Sequence, residues 1–303
     1  MTKLGNSDLD VSRLTLGGNV FGWTADEEQS FAVLDAYTRA GGNFIDTADL
    51  YAGGKSETIL GRWLAARGNR ADVLIATKVG MTKGLDNLKP ATIEAAAEAS
   101  LKRLGVDHID LYYAHRDDLD TPTEESLAAF DRLVRAGKVR QIAASNYSAE
   151  RLANALAISD REGLAGFVAL QPEYSLVARS AYEGDVADVV AANDLSALPY
   201  WGLAKGFLTG KYRPGVDVDS PRAAGATKFL DDRGLRVLAA LDEISAARAT
   251  SVAAVALAWL TAQPTVPSVL ASARNTEQLD ALLPVLDLTL SNAEVDRLTD
   301  ASV

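Results

Sequence analysis

Four side chains of unlike chemistry stand at or just past the ends of short apolar runs. Asp46 and Tyr51 lie in Asn43-Phe-Ile-Asp-Thr-Ala-Asp-Leu-Tyr51, Lys78 ends Val73-Leu-Ile-Ala-Thr-Lys78, and His115 ends Ile109-Asp-Leu-Tyr-Tyr-Ala-His115. A free tyrosine, with a pKa of about 10, is a poor proton donor at neutral pH. An ammonium about 4 Å away, at an effective dielectric of about 20, stabilises the phenolate by roughly 4 kcal/mol, or about 3 pKa units before screening. A lysine desolvated beside that phenol tends to lose its own proton, and Asp46 can supply the carboxylate that keeps it charged. A neutral imidazole can donate a hydrogen bond to a carbonyl oxygen without competing for the proton. Together the four groups could polarise a carbonyl and protonate the alkoxide formed when hydride arrives. Nothing in these four residues supplies the hydride.

Such a site forms only if the chain brings distant strand ends together. Asp46, Lys78, His115, Asn146, Gln171 and Tyr200 follow one another at intervals of 32, 37, 31, 25 and 29 residues, about one strand–helix unit each. Apolar runs at Leu14–Gly17, Asn43–Ile45, Val73–Thr77, Ile109–Tyr113, Val139–Ala143, Phe167–Leu170, Ser196–Leu198 and Ser268–Leu270 alternate with amphipathic stretches. Those stretches predict helices near Glu27–Ala40, Ser56–Arg67, Pro90–Leu104, Thr123–Ala136, Ser148–Glu162 and Tyr182–Asn193. Pro90 opens one of them, and Gly41, Gly68, Gly105 and Gly137 follow their ends. After Tyr200 a Gly-, Pro- and charge-rich loop over Gly202–Thr227 precedes helices near Leu230–Ala246 and Ser251–Ala262. Two more helices, near Thr276–Leu283 and Asn292–Thr299, close the chain. Leu4–Ser12 alternates around Gly5-Asn6-Ser7-Asp8 and predicts a hairpin. The expected fold is α/β: one (β/α)8 TIM barrel over residues 1–303, with an N-terminal β-hairpin and extra helices after strand seven and at the C-terminus. The competing open sheet usually carries Gly-x-Gly-x-x-Gly in its first strand–helix turn, and no such motif occurs. In a closed parallel barrel the loops after the strands share one mouth, where reactive groups gather.

Bulk properties narrow the function classes. A net charge of −11 argues against nucleic-acid or anionic-membrane partners. Zero cysteines exclude disulfides and thiolate chemistry, and with two histidines no metal cluster is expected. The N-terminus has no apolar signal core, which favours the cytoplasm, and the longest apolar run, Ser251–Leu260, is too short for a membrane span.

At this point the chain resembles the aldo-keto reductases from end to end. Gly41-Gly-Asn-Phe-Ile-Asp-Thr-Ala-Asp-Leu-Tyr-Ala-Gly-Gly-Lys-Ser-Glu57 with Leu60-Gly61 is similar to that family's first signature. Thr77-Lys-Val-Gly80 is similar to its lysine strand, and Ser100-Leu-Lys-Arg-Leu-Gly-Val-Asp-His-Ile-Asp-Leu-Tyr-Tyr-Ala-His115 to the segment leading to its histidine. The resemblance implies that Tyr51 is the general acid, Lys78 lowers its pKa, Asp46 holds Lys78, and His115 orients the substrate carbonyl. It also implies a nicotinamide cofactor, which answers the missing hydride source.

The cofactor residues transfer one at a time. Ser145, Asn146 and Gln171 match positions that hold the nicotinamide carboxamide, and Tyr200 the aromatic that stacks on its ring. Tyr200-Trp-Gly-Leu-Ala-Lys-Gly-Phe-Leu-Thr-Gly-Lys211 resembles the pyrophosphate loop, so Trp201, Gly202, Leu203 and Ala204 are expected at the cofactor. The common form has Ser-Pro where Trp201-Gly202 stands. Lys211 and Arg222 fit positions reaching the pyrophosphate. Ser272, Arg274 and Gln278 fit the 2′-phosphate site, where Arg274 offers a fork suited to a phosphate monoester, so NADPH is expected over NADH. Trp23 is expected to line the substrate pocket. His108 reads as a surface or capping residue. Trp63, Trp259, Tyr112 and Tyr113 read as packing residues, with one of the two tyrosines facing into the barrel. The resemblance implies a reductase of aldehydes or ketones. Its alternative is a cofactor-binding regulatory subunit, since channel-associated β subunits resemble the same family and turn over slowly.

Overall fold

A computed structural model describes residues 1–303. A short antiparallel hairpin, β1 (Thr2–Lys3) and β2 (Asp10–Val11), precedes eight strands. These are β3 (Leu14–Gly17), β4 (Phe44–Asp46), β5 (Leu74–Val79), β6 (Ile109–Ala114), β7 (Val139–Ser145), β8 (Phe167–Gln171), β9 (Ser196–Ala197) and β10 (Val269–Ala271). They form one parallel sheet in the order β10-β3-β4-β5-β6-β7-β8-β9. The Leu270 N–H donates to the Pro199 carbonyl at 3.1 Å, joining the two ends of the sheet and closing the curl into a (β/α)8 barrel.

The helices fill the intervals. α1 is Glu27–Arg39, α2 Lys55–Arg67, α3 Pro90–Leu104, α4 Thr123–Arg135, α5 Ala149–Glu162 and α6 Asp185–Ala192. Between β9 and β10 lie the short α7 (Ala223–Ala226), then α8 (Asp232–Ala247) and α9 (Val252–Thr261). α10 (Thr276–Asp280) and α11 (Asn292–Ala301) follow the last strand. Their starts obey local chemistry. Asp26 and Gln29 form a capping box on α1, and Ser148 caps α5 through the Arg151 N–H. α2 and α3 stop at Gly68 and Gly105, both left-handed at φ 63° and 64°, a conformation a Cβ disfavours.

The stretch Gly202–Thr227, expected as an extended loop, contains a 3-10 turn at Ala204–Thr209 and α7, and several expected boundaries move. The helix expected from Tyr182 starts at Asp185, because Gly184 takes φ 91° and breaks the run. α8 starts at Asp232, capped by Asp231, rather than at Leu230. The helix expected to reach Leu283 stops at Asp280, and Pro284 instead sits near the start of a separate 3-10 turn, Leu283–Leu286. No single helix is long and apolar enough to cross a membrane.

Alternation along the strands produces two apolar bodies. Outside the barrel, helices pack on Ile45, Ile75, Tyr112 and Ile142 in one large core, where Trp63 and Trp259 are fully buried. Inside it, Phe44, Ala76, Leu111, Tyr113, Ala143, Val168, Ala169 and Leu198 form a second cluster with Leu4, Leu9 and Val11 of the hairpin. The hairpin therefore plugs the amino-terminal end of the barrel, and the opposite end stays open for the site. Tyr112 faces the helices, in edge contact with Phe130 at 5.6 Å, and Tyr113 faces inward.

Candidate active site

The strands deliver side chains to the open end in a fixed register. Asp46 ends β4, Lys78 lies one residue before the end of β5, and His115 follows β6. Because β4, β5 and β6 are adjacent and parallel, with Asp46 opposite Ala76 and Lys78 opposite Tyr113, the three groups rise on neighbouring staves. Tyr51 comes from the turn between β4 and α2. Gln171 ends β8 across the barrel and reaches the same point.

Lys78 is completely buried and Asp46 nearly so. The ammonium donates to Asp46 Oδ1 and, at 2.8 Å, to the Thr47 carbonyl. It lies 5.3 Å from the ring centroids of both Tyr51 and Tyr113, between two aromatic faces. Gln171 Nε2 donates to Asp46 Oδ2 at 3.0 Å, so both carboxylate oxygens are occupied. Burial is the largest influence on Lys78 and pulls its pKa down, yet Asp46 and Tyr51 more than offset it and the net shift is upward: the lysine stays an ammonium.

Tyr51 behaves differently from the sequence expectation. Burial dominates and pushes its phenol up; Lys78 pulls it down, and Asp46 pushes it up again. The ammonium lowers the phenol relative to a buried one without Lys78, but it does not bring it below the value of a free tyrosine. Desolvation of a phenolate outweighs one charge that is already shared with a carboxylate. Tyr51 and His115 meet edge to face at 6.1 Å. Burial first, then Lys78 and Arg116, lowers the His115 pKa to about 2, so the imidazole is neutral throughout the physiological range. Its Nδ1 is buried without a hydrogen-bond partner.

Around this cluster opens a cavity of about 600 Å³. Its wall includes Asp46, Tyr51, His115, Ser145, Asn146, Gln171, Tyr200, Trp201, Gly202, Leu203, Lys211, Arg222, Ser272, Arg274, Gln278 and Trp23. Lys78 lies beneath this wall, behind Tyr51. Ser145 Oγ donates to the Gln171 carbonyl at 2.9 Å. Asn146, left-handed at φ 57°, donates through Nδ2 to the His115 carbonyl at 3.1 Å and accepts from the Tyr200 hydroxyl at 2.8 Å. Arg222 stands over the half-exposed Trp23 ring at 5.8 Å. Burial, then the neighbouring Arg274, lowers the Arg222 pKa, which marks two guanidinium groups converging on one space. Arg274 N–H is held by Gln278 Oε1 at 3.1 Å, and Ser272 Oγ donates to Asn19 Oδ1 at 2.7 Å.

Ala204 does not join the cavity wall. It turns at φ 47°, its N–H is spent on the Trp201 carbonyl at 2.7 Å, and its methyl packs into the outer core. Lys205 and Gly206 face the cavity instead, as do Thr209, Ser220 and Pro221. Lys205 lies within the loop from Tyr200 to Lys211, but its direction depends on the left-handed turns at Trp201, Ala204 and Lys205, which no local pattern announces. Gly17 and Asn19 were also missed. A Cβ on Gly17 would come within 2.5 Å of Ser272 Oγ, a contact between the first and last barrel strands visible only after closure. His108 sits 38 % exposed beside Asp110, at the hairpin end of the barrel and away from the cavity.

Comparison with known proteins agrees with this geometry. Residues 13–303 match the model of the aldo/keto reductase family. A probable voltage-gated potassium channel subunit beta of Oryza sativa subsp. japonica is 34% identical over 94% of this chain and 90% of its own. The uncharacterized oxidoreductase YrpG of Bacillus subtilis (strain 168) is 33% identical over 99% of this chain and 94% of its own. The aldo-keto reductase yakc [NADP(+)] of Schizosaccharomyces pombe is 31% identical over 91% and 83%. With eight strands, the barrel and nearly the whole length matched, the chain belongs to the aldo/keto reductase family of oxidoreductases.

Proposed function

We propose that this oxidoreductase is an NADPH-dependent reductase of aldehydes or ketones in which Tyr51 delivers the proton. The observation that carries the reading is the buried run Gln171–Asp46–Lys78 set against Tyr51 and neutral His115 at the wall of a single cavity.

The remainder of that cavity fits a dinucleotide. The chain carries a net charge of −11, yet Lys205, Lys211, Arg222 and Arg274 all line this one space. The backbone N–H groups of Gly202, Leu203 and Lys205 have no acceptor within the protein, and the left-handed turns around them form a concave run of donors suited to phosphate oxygens. Ser145, Asn146 and Gln171 would hold the carboxamide and Tyr200 the nicotinamide ring. Lys211 and Arg222 would meet the pyrophosphate, and Ser272, Arg274 and Gln278 the 2′-phosphate. The name of the Schizosaccharomyces pombe relative supports NADP over NAD. A reduced nicotinamide bound there supplies the hydride that a carbonyl carbon accepts.

The protein's own part is proton and charge control. Neutral His115 can donate to the carbonyl oxygen because it holds no extra proton to lose. Tyr51, kept protonated by burial, is the only phenol on the wall beside His115 and gives its proton to the same oxygen. Lys78 stabilises the phenolate left behind, and Asp46 keeps Lys78 charged. Trp23, Val20 and Met81, from the loops flanking Tyr51, bound the substrate side.

The rice relative favours a second reading, a cofactor-binding subunit of a larger assembly with slow turnover. A steady-state assay of NADPH oxidation over a panel of aldehydes and ketones separates the two. Turnover with any carbonyl supports the reductase; tight NADPH binding with no turnover on the whole panel supports the subunit.

A further inference from the structure

The carboxamide of Gln171 is spent in a direction that cofactor recognition does not require. A carboxylate can only accept, so the amide nitrogen is the end that meets Asp46 Oδ2 at 3.0 Å, leaving Oε1 as the end for a ligand. Both residues are buried, Gln171 at 3 % and Asp46 at 1 % exposure, at the floor of the cavity that both border. Asp46 Oδ1 holds Lys78, and Lys78 faces Tyr51.

We infer that Gln171 is a positioning residue for proton delivery: by filling Asp46 Oδ2 it fixes the carboxylate and thereby the place of the Lys78 ammonium that faces Tyr51. This deepens the reductase reading and rests on it. Gln171 then links the two halves of the site, since the same side chain borders the cavity and holds the pair beneath it. The other titratable groups facing the pair are Tyr51 from the β4–α2 turn, Tyr113 from β6 and His115 just after it. In this arrangement Gln171 alone donates to Asp46 Oδ2: the Tyr113 hydroxyl and His115 Nδ1 make no hydrogen bond, and Tyr51 lies beyond Lys78. Without Gln171 Nε2, one carboxylate oxygen loses its partner, a loss of about 1–3 kcal/mol that is too small to discharge a lysine whose pKa is raised. The Asp46 carboxylate is then free to turn, and the Lys78 ammonium that follows it moves from its place against Tyr51.

Two variants of matched size test this. Gln171→Met removes the donor. Gln171→Glu restores an O–H donor when the introduced carboxyl is protonated and places a second negative charge beside Asp46 when it is not. Two readouts are used: kcat against pH, and the ammonium signal of Lys78 followed by NMR of isotope-labelled lysine, assigned with Lys78→Met. The second needs no cofactor and no turnover. In Gln171→Met the ammonium signal of Lys78 should persist at neutral pH but move away from its wild-type position, kcat should fall about tenfold, and the alkaline limb should move up by about one pH unit. In Gln171→Glu both readouts should recover as pH falls and the carboxyl protonates. A wild-type lysine signal and an unmoved limb in Gln171→Met, with only cofactor affinity reduced, would overturn the proposal and leave Gln171 as a cofactor ligand alone. Failure of the wild-type protein to reduce any carbonyl, with the lysine signal still responding, would instead overturn the reductase reading and with it the role in proton delivery, leaving only the hold of Gln171 on the Asp46–Lys78 pair.

Discussion

Replacing Lys78 with methionine leaves Asp46 as a buried carboxylate without its counter-ion. The stem of the side chain is retained, so the cavity left behind is small and the effect is chiefly electrostatic. Both partners are sheltered from solvent, at 0 % and 1 % exposure, so screening does not erode the interaction. Breaking such a pair from one side costs roughly 3–5 kcal/mol. An independent bound comes from protonation. Asp46 can escape by taking a proton, which at pH 7 costs about 4 kcal/mol for an aspartate of ordinary pKa of about 3.9, at about 1.36 kcal/mol per pH unit. The two figures agree, and the second predicts a pH dependence. In the variant the folded pKa of Asp46 lies above its unfolded value, so the penalty is nearly absent at about pH 4 and grows as pH rises. In the wild-type protein the Lys78 pKa is raised above 10.5, so the contribution of Lys78 is complete at neutral pH and is lost as pH rises through that raised value. Urea unfolding of wild type, Lys78→Met and Lys78→Met/Asp46→Asn at pH 7 and pH 4.5 measures this. The single variant should lose about 4 kcal/mol at neutral pH, with most of it returning at the lower pH, and the double variant should recover most of it at both. A single-variant loss under about 1 kcal/mol, or a loss independent of pH, would refute the buried-pair account.

Two further outcomes follow. His115 has a folded pKa of about 2 against 6.5, so its contribution is present above 6.5 and is lost as pH falls from there. The wild-type stability should therefore fall by up to about 1.36 kcal/mol per pH unit from this group alone below pH 6.5, and His115→Gln should flatten that slope in melting experiments; an unchanged slope would show that the imidazole is not held neutral. Arg274→Ala should weaken NADPH binding about ten- to a hundredfold, the scale of a lost charge-assisted hydrogen bond, while NADH binding changes little. Fluorescence titration with both cofactors reads this directly, and equal losses would show that Arg274 does not read the 2′-phosphate.

The barrel and its mouth were legible because the relevant signals repeat. Six successive apolar runs, from Asn43–Ile45 to Ser196–Leu198, lead to a polar residue at an interval of about one strand–helix unit, and a glycine or proline marks many of the helix ends. Those features are local, and a periodic chain displays them many times over. What lay outside the sequence depends on closure or on desolvation. Ala204 was expected at the cofactor because it sits inside a recognisable loop, but left-handed turns rotate it into the core and bring Lys205 forward. The effect of Lys78 on Tyr51 was expected from charge alone; desolvation of the phenol, which reverses the net shift, is a property of the assembled mouth. Tyr113 read as a packing residue and is one, yet its ring also faces the Lys78 ammonium, because β5 and β6 pair Lys78 with Tyr113. The contact of Gln171 with Asp46 joins residues 125 positions apart on opposite sides of the barrel and has no sequence signature.

The most direct test of the account is Tyr51→Phe, which removes one hydroxyl and keeps the ring that packs on His115 and Lys78. NADPH affinity by titration and carbonyl reduction by single-turnover kinetics should be measured on the same preparation. The account predicts cofactor affinity within about threefold of wild type and a chemical step slowed by about two to four orders of magnitude, the range for loss of a positioned general acid. Reduction at the wild-type rate would contradict it, because no other proton donor on the cavity wall stands beside His115.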